Sequence, residues 1–169
     1  MTSNTAWVAG RGAGLSWSNA FNTVDFTTSD SGGLLANAHT VLSTIADIAN
    51  GTALDMFADI SLRLSIASST IVGGACFSFW TYPLLDDGTT YGDGKLTAGT
   101  AAALTPAFPP CGAIYLYAAA SQTSLVGSLT GIVIPPGSFR FAIQNNSGFT
   151  LTNSSTVCKY RTYNLNLNG

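Results

Sequence analysis

Short stretches in which apolar and polar residues alternate recur along this chain, and that period of two constrains its fold more than any other feature. Within 57–67, Ile60, Leu62, Leu64 and Ile66 alternate with Ser61, Arg63 and Ser65, the pattern of a strand with one buried face. Residues 75–82 follow, with Phe77 and Phe79 on one face and Cys76, Trp80 and Tyr82 on the other. Both faces are bulky, which predicts a central strand or one that meets a partner. A further strand is expected over 113–119, with Ile114 and Leu116 inward and Tyr115 and Tyr117 opposite. Residues 128–134 lead into Pro135-Pro136-Gly137, and Phe139, Phe141 and Ile143 then alternate with Arg140 and Ala142, so this pair reads as a hairpin or a corner. After the turn signal Asn145-Asn146-Ser147-Gly148, strands are expected over 149–152 and 156–167. The stretch 35–48 fits either a strand or a helix, since Val41, Leu42, Ile45 and Ile48 also have helical spacing.

Roughly seven or eight short strands separated by turn residues predict an all-β fold, an antiparallel β-sandwich. Long connections such as 83–112, which contains the bend Phe108-Pro109-Pro110-Cys111, favour a jelly-roll-like order over a meander. Residues 1–33 read differently. They are rich in Gly, Ser, Asn and Thr with isolated Trp7, Trp17, Phe21 and Phe26, which predicts an extended N-terminal arm ahead of a sandwich domain over 34–169. The arm's aromatic side chains either fold back on the same domain or anchor into a neighbouring subunit.

Composition narrows the function. Hydrophobic residues make up 46% of the 169 residues, which excludes disorder, and no apolar run approaches the ~18 residues of a membrane span. Only 8% of residues are charged, against a usual ~25%; there is no glutamate, and the lysines are Lys95 and Lys159 alone. A surface so poor in charge suits one covered by other subunits, because interface cores are depleted in charge. A surface solvated by Ser, Thr and Asn is the plainer alternative. The net charge is −2, and Arg11, Arg63, Arg140 and Arg161 are scattered, so nucleic-acid binding is not expected. Cys76, Cys111 and Cys158 lack zinc-ligand spacing and read as buried free thiols, with one disulfide as the other possibility. The first residues have no basic and apolar leader pattern, so synthesis and folding in a cytoplasm are expected.

Residues capable of chemistry are few. His39 is the single histidine; Ser43 and Asp47 follow it, but neither sits in a nucleophile elbow, and a structural role is expected. The densest charge lies in Asp86-Asp87-Gly88-Thr89-Thr90-Tyr91-Gly92-Asp93, which offers the hard oxygen ligands that suit calcium. It lacks the EF-hand order and its final glutamate. Aspartates in a glycine turn commonly bond to nearby backbone amides, so a rigid loop, either presented to a partner or stitching the end of the sandwich, is expected in place of a metal or catalytic site. The run Gly10-Arg11-Gly12-Ala13-Gly14 lacks the ending of a phosphate loop. Trp80, Tyr82, Tyr91, Tyr115 and Tyr117 form a possible platform for sugars, although strand aromatics more often serve cores and interfaces. No enzyme activity, cofactor or resident metal is expected.

Phe79-Trp80-Thr81-Tyr82-Pro83-Leu84 followed by Asp87-Gly88-Thr89-Thr90-Tyr91-Gly92-Asp93-Gly94 resembles a segment recurring in small virion proteins of tailed bacteriophages. The stretch from Gly131 to Phe141, the turn Gln144-Asn145-Asn146-Ser147-Gly148 and the end Tyr160-Arg161-Thr162-Tyr163-Asn164 fit the same pattern. The resemblance covers most of 57–164 and not the arm. It implies a capsid decoration or cement protein on the virion surface, with the major capsid protein and further copies of itself, as a dimer or trimer, for partners. On that reading 1–30 and 84–95 make the intersubunit contacts. Trp7 and Trp17 anchor the arm, and Phe21, Asp86, Asp87, Tyr91 and Asp93 complete the expected interface. A carbohydrate- or receptor-binding module of a tail or fibre is the alternative, and a small hydrolase a third.

Overall fold

The computed structural model describes residues 5–8, 47–86, 88–92, 108–149 and 157–167. Those residues form β1 (Thr5–Val8), β2 (Ile48–Ala49), β3 (Phe57–Ile71), β4 (Cys76–Pro83), β5 (Gly112–Tyr115), β6 (Ala119–Val133), β7 (Ser138–Asn146) and β8 (Val157–Leu167), and among them there is no helix. All pairing is antiparallel, in two four-stranded sheets of order β1-β8-β3-β6 and β2-β7-β4-β5. The expected antiparallel sandwich is therefore the fold.

The pairs nest inside one another. β4 pairs with β5, β3 with β6, β2 with β7 and β1 with β8, as if one long hairpin had been wrapped round a core. Two further pairings, β3 with β8 and β4 with β7, complete the sheets. β6 and β7 lie in different sheets, so Pro135-Pro136-Gly137 is a corner and not a hairpin turn. The two prolines cannot continue the ladder, and Gly137 at φ 88° takes the left-handed conformation that the change of direction requires.

The period of two places the core. Ile60 and Leu62 of β3, Phe77 and Phe79 of β4, and Phe139, Phe141 and Ile143 of β7 all point between the sheets and are buried. Ile114, Leu125, Ile132 and Cys158 join them from β5, β6 and β8. Phe139 and Phe141 meet edge to face with ring centroids 5.3 Å apart, a favourable arrangement of aromatic quadrupoles. As expected from its two bulky faces, β4 is an inner strand, flanked by β5 and β7.

Several expectations shift. β6 begins at Ala119 and not at 128, because Ala119–Ser124 is small and polar on both faces and carries little periodic signal. β5 stops at Tyr115; beyond it Leu116 donates its backbone N–H to Ala75 at 2.9 Å. Phe149 lies in a bend after Gly148, and 150–152 fall outside the described residues. The backbone of Thr5–Val8 is laid antiparallel along β8, Trp7 opposite Leu165, so this part of the expected arm folds back on its own domain. The rest of the arm and residues 34–46, with His39, lie outside the described residues.

Candidate functional site

The acidic loop is built as an extension of β4 that doubles back on itself. Leu84 and Tyr91 form an antiparallel bridge, Leu85 donates to Thr90 at 2.8 Å, and Gly92 donates to Pro83 at 3.0 Å. Gly88, at φ 69°, makes the reversal and donates its N–H to Leu85 at 3.1 Å. Leu84 also donates to Ser138 at 2.9 Å, which ties the base of the loop to β7. Asp86 stands exposed at the tip; Asp87 and Asp93 lie outside the described residues.

This geometry folds Tyr91 under the loop and onto the outer face of the second sheet. There it packs with Trp80, Tyr82 and Ala142 in a second apolar cluster, with Leu84 and Phe108 at its margin. Trp80 donates its indole N–H to the Phe108 carbonyl at 2.9 Å, and the Tyr82 and Phe108 rings are 5.1 Å apart. The loop and the segment at 108–110 thus act as a third layer over a face that would otherwise present large aromatics to water.

At the edge of this cluster three polar side chains converge. Asp47 Oδ1 accepts from Tyr91 Oη at 2.7 Å and from Arg140 Nε at 2.7 Å, and the guanidinium carbon sits 4.8 Å from the Tyr91 ring centroid. The clasp joins residues before β2, after β4 and within β7. Burial alone would push the Asp47 carboxyl up, but hydrogen bonds from Arg140 and Tyr91, with the arginine's charge, hold it below its ordinary value of 3.8. Burial first, and then donation to a carboxylate, raises the Tyr91 phenol above its usual range.

The sign of the linkage follows. A depressed carboxylate adds stability that is present above its unfolded value and lost as pH falls through its folded value. Asp47→Asn is expected to cost about 1–2 kcal/mol at neutral pH, kept small because the Asp47 side chain is 42% exposed. Urea unfolding at neutral pH and again well below 3.8 measures it: the gap from wild type narrows in acid, where wild type loses the same charge.

A second cluster lies on the outer face of the other sheet. Asp59 of β3 and Arg161 of β8 are register partners, and Asp59 Oδ2 accepts from Arg161 Nε and Nη2, each at 2.8 Å. Its Oδ1 accepts from Tyr163 Oη at 2.9 Å and from the Gly131 backbone N–H at 3.0 Å. Gly131, at φ 70°, sits opposite a register shift between Ala58 and Ile60, a bulge whose N–H is turned to the Asp59 side chain. Burial, then donation to Asp59, raises the Tyr163 phenol. At one end of the sandwich, Asn50 accepts from the Asp55 N–H at 2.8 Å and donates to the carbonyls of Asp55 at 2.8 Å and Pro135 at 2.9 Å. Thr162 and Asn164 then donate to the Asp55 carboxylate.

Among the described residues, those expected at an interface are Trp7, Asp86 and Tyr91, and they do not lie together. Trp7 belongs to the edge strand of the first sheet, while Asp86 and Tyr91 belong to the loop over the second. Tyr91 is wholly buried within the chain, so its side chain serves the domain and offers no surface to a partner. Trp17 and Phe21 lie outside the described residues. Of the aromatics weighed as a sugar platform, Trp80, Tyr82 and Tyr91 are buried, whereas Tyr115 and Tyr117 are 73% and 83% exposed. Among the described residues no group of three His, Cys, Asp or Glu side chains is placed to hold a metal ion. All three cysteines are free. Cys158 is buried, its thiol pushed up to about 12 by desolvation. Cys111 is at the surface, contrary to the expected burial, and donates its Sγ–H to the Phe79 carbonyl at 3.2 Å.

The sequence reading missed both Asp–Arg clusters. Asp47 and Arg140 are separated by 93 positions and Asp59 and Arg161 by 102, so only strand pairing reveals that they meet. The chain matches no family model, and no curated protein or solved structure matches it.

Proposed function

We propose that the chain is a structural virion protein of a tailed phage, a capsid decoration or cement protein that binds and stabilises the assembled head. The observation that carries this reading is where the charge goes. Asp47, Asp55, Asp59, Arg140 and Arg161 are all engaged in contacts inside the domain, while Tyr115, Tyr117, Val126 and Val133 stand exposed. Such a surface buries apolar area on a neighbour while desolvating few ions. The nested strand order β1-β8-β3-β6 and β2-β7-β4-β5 supports a jelly roll, an architecture shared by viral capsid, lectin and cupin domains. That support is analogy of fold alone. A protein that binds only the assembled shell stabilises it by linkage, and repeated sites on a lattice add avidity.

Mixing the full-length protein with empty phage heads and with tails, followed by sedimentation, tests the reading. Saturable co-sedimentation with heads, together with a raised temperature of head disruption, is the expected result. Exclusive binding to tails or fibres, joined by saturable signals on a glycan array, would replace it with the receptor-binding alternative, for which Tyr115 and Tyr117 are the exposed aromatics.

A further inference from the structure

We propose that β6 is a self-association edge, pairing antiparallel with β6 of a second copy so that two four-stranded sheets become one continuous sheet. The four edge strands of the sandwich are unequal. β1, β2 and β5 have 4, 2 and 4 residues, whereas β6 has 15 and, among the described residues, is paired on one side only, by β3. Proteins keep free edges short or guard them with charge or proline, because a long edge is a template for another strand. Ala119–Val133 contains neither proline nor any charged residue. Its irregular positions, Ser121 at φ 56° and Gly131 at φ 70°, lie beyond the ends of an unbroken stretch of ladder with β3, from Ser124 opposite Ser65 to Leu129 opposite Ile60.

The sequence of that section selects a second copy over a foreign strand. A two-fold axis through Val126 places Val126 opposite itself and Ser124 opposite Ser128 on the outward face. In such an isologous pairing any charge near the axis would meet its own like, and here none does. Among the described residues the nearest charge is Arg63, the register partner of Val126 on β3. Its copy would lie three strand spacings away, about 14 Å, beyond the ~8 Å screening length at physiological salt. Val126 itself is 66% exposed, a β-branched side chain at the centre of a strand.

The flank beside this edge adds surface. A Cβ on Gly127 would lie 2.2 Å from Ile114 Cγ2, and one on Gly112 2.6 Å from Leu129 Cδ2, so β5 closes tightly under β6. The exposed Tyr115 and Tyr117 lie on this same flank, and tyrosine is enriched in interface cores. Strand pairing supplies register and hydrogen bonds; the tyrosines supply area.

The experiment is sedimentation equilibrium on the full chain and on two variants at the exposed Val126, which leave the core untouched. Wild type is expected as a dimer, while Val126→Lys and Val126→Asp each give half that mass with unchanged circular dichroism. An equimolar mixture of the two variants is expected to recover the dimer, since the opposite charges then face each other across the axis. A monomeric wild type, variants that keep the wild-type mass, or a mixture that stays monomeric would each overturn the proposal. None of these outcomes depends on head binding, so this proposal and the virion reading fail separately.

Discussion

Replacing Asp59 with alanine is expected to cost about 3–5 kcal/mol, the range for breaking a buried ion pair from one side. The Asp59 side chain is 5% exposed and accepts from Arg161, Tyr163 and the bulge N–H of Gly131. Alanine removes every acceptor at once. The guanidinium, 28% exposed, loses its counter-charge, and the Gly131 N–H has no ladder carbonyl to return to. Chemical denaturation of wild type, Asp59→Ala, Arg161→Ala and the double variant measures the effect. The double variant is expected to lose clearly less than the sum of the singles, because most of each single loss comes from the partner left behind. Strict additivity would show that the two side chains contribute independently, with their 2.8 Å contact adding nothing.

Phe79→Ala is expected to destabilise by a similar amount, about 3–5 kcal/mol, through a different cause. Phe79 is fully buried in the middle of β4, an inner strand, with Phe77 on the same face and the buried Ile143 of β7 as its register partner. Truncation removes the transfer free energy of the ring and leaves a cavity that strands held on both sides cannot collapse to fill. For a domain of this size each kcal/mol lowers the melting temperature by about 2–4 °C, so calorimetry is expected to show a fall near 10 °C. The Phe79 carbonyl, which accepts from the Cys111 backbone N–H at 2.8 Å, is unaffected, so the start of β5 remains in register.

Much of this sandwich was legible because its core strands obey one rule. Ile60 and Leu62 of β3, Phe77 and Phe79 of β4, and Phe139, Phe141 and Ile143 of β7, which the alternation assigns inward, are all buried. The first half of β6 was not legible. Ser121, Gln122, Thr123 and Ser124 give an edge strand no apolar face to announce it, and Gly127 is small because Ile114 occupies its Cβ position. Tyr91 misled for a related reason. An aromatic between Asp, Thr and Gly reads as a presented loop residue, yet the bridge to Leu84 turns it onto Trp80 and Tyr82. Asp59 is the clearest case: period two puts it on the outer face, where solvent is the ordinary expectation. Its burial depends on Arg161 and Tyr163, which only the β3–β8 register brings alongside.

The nested pairing also dictates the order in which the chain becomes ordered. Among the described strands even β4 and β5, at the tip of the wrapped hairpin, meet across 33 residues, from Phe79 to Gly112; β3 must wait for β6 and β8, and β1 for β8. Loop-closure entropy is paid before such distant contacts return anything, which places all-β domains of this kind among slow folders, in milliseconds to seconds. On a ribosome the sheet containing β3 stays unfinished until β8 has emerged. For that interval the Ile60 and Leu62 face is a sticky half-sheet, and the polar, glycine-containing sequence of β6 is the first strand available to cover its edge.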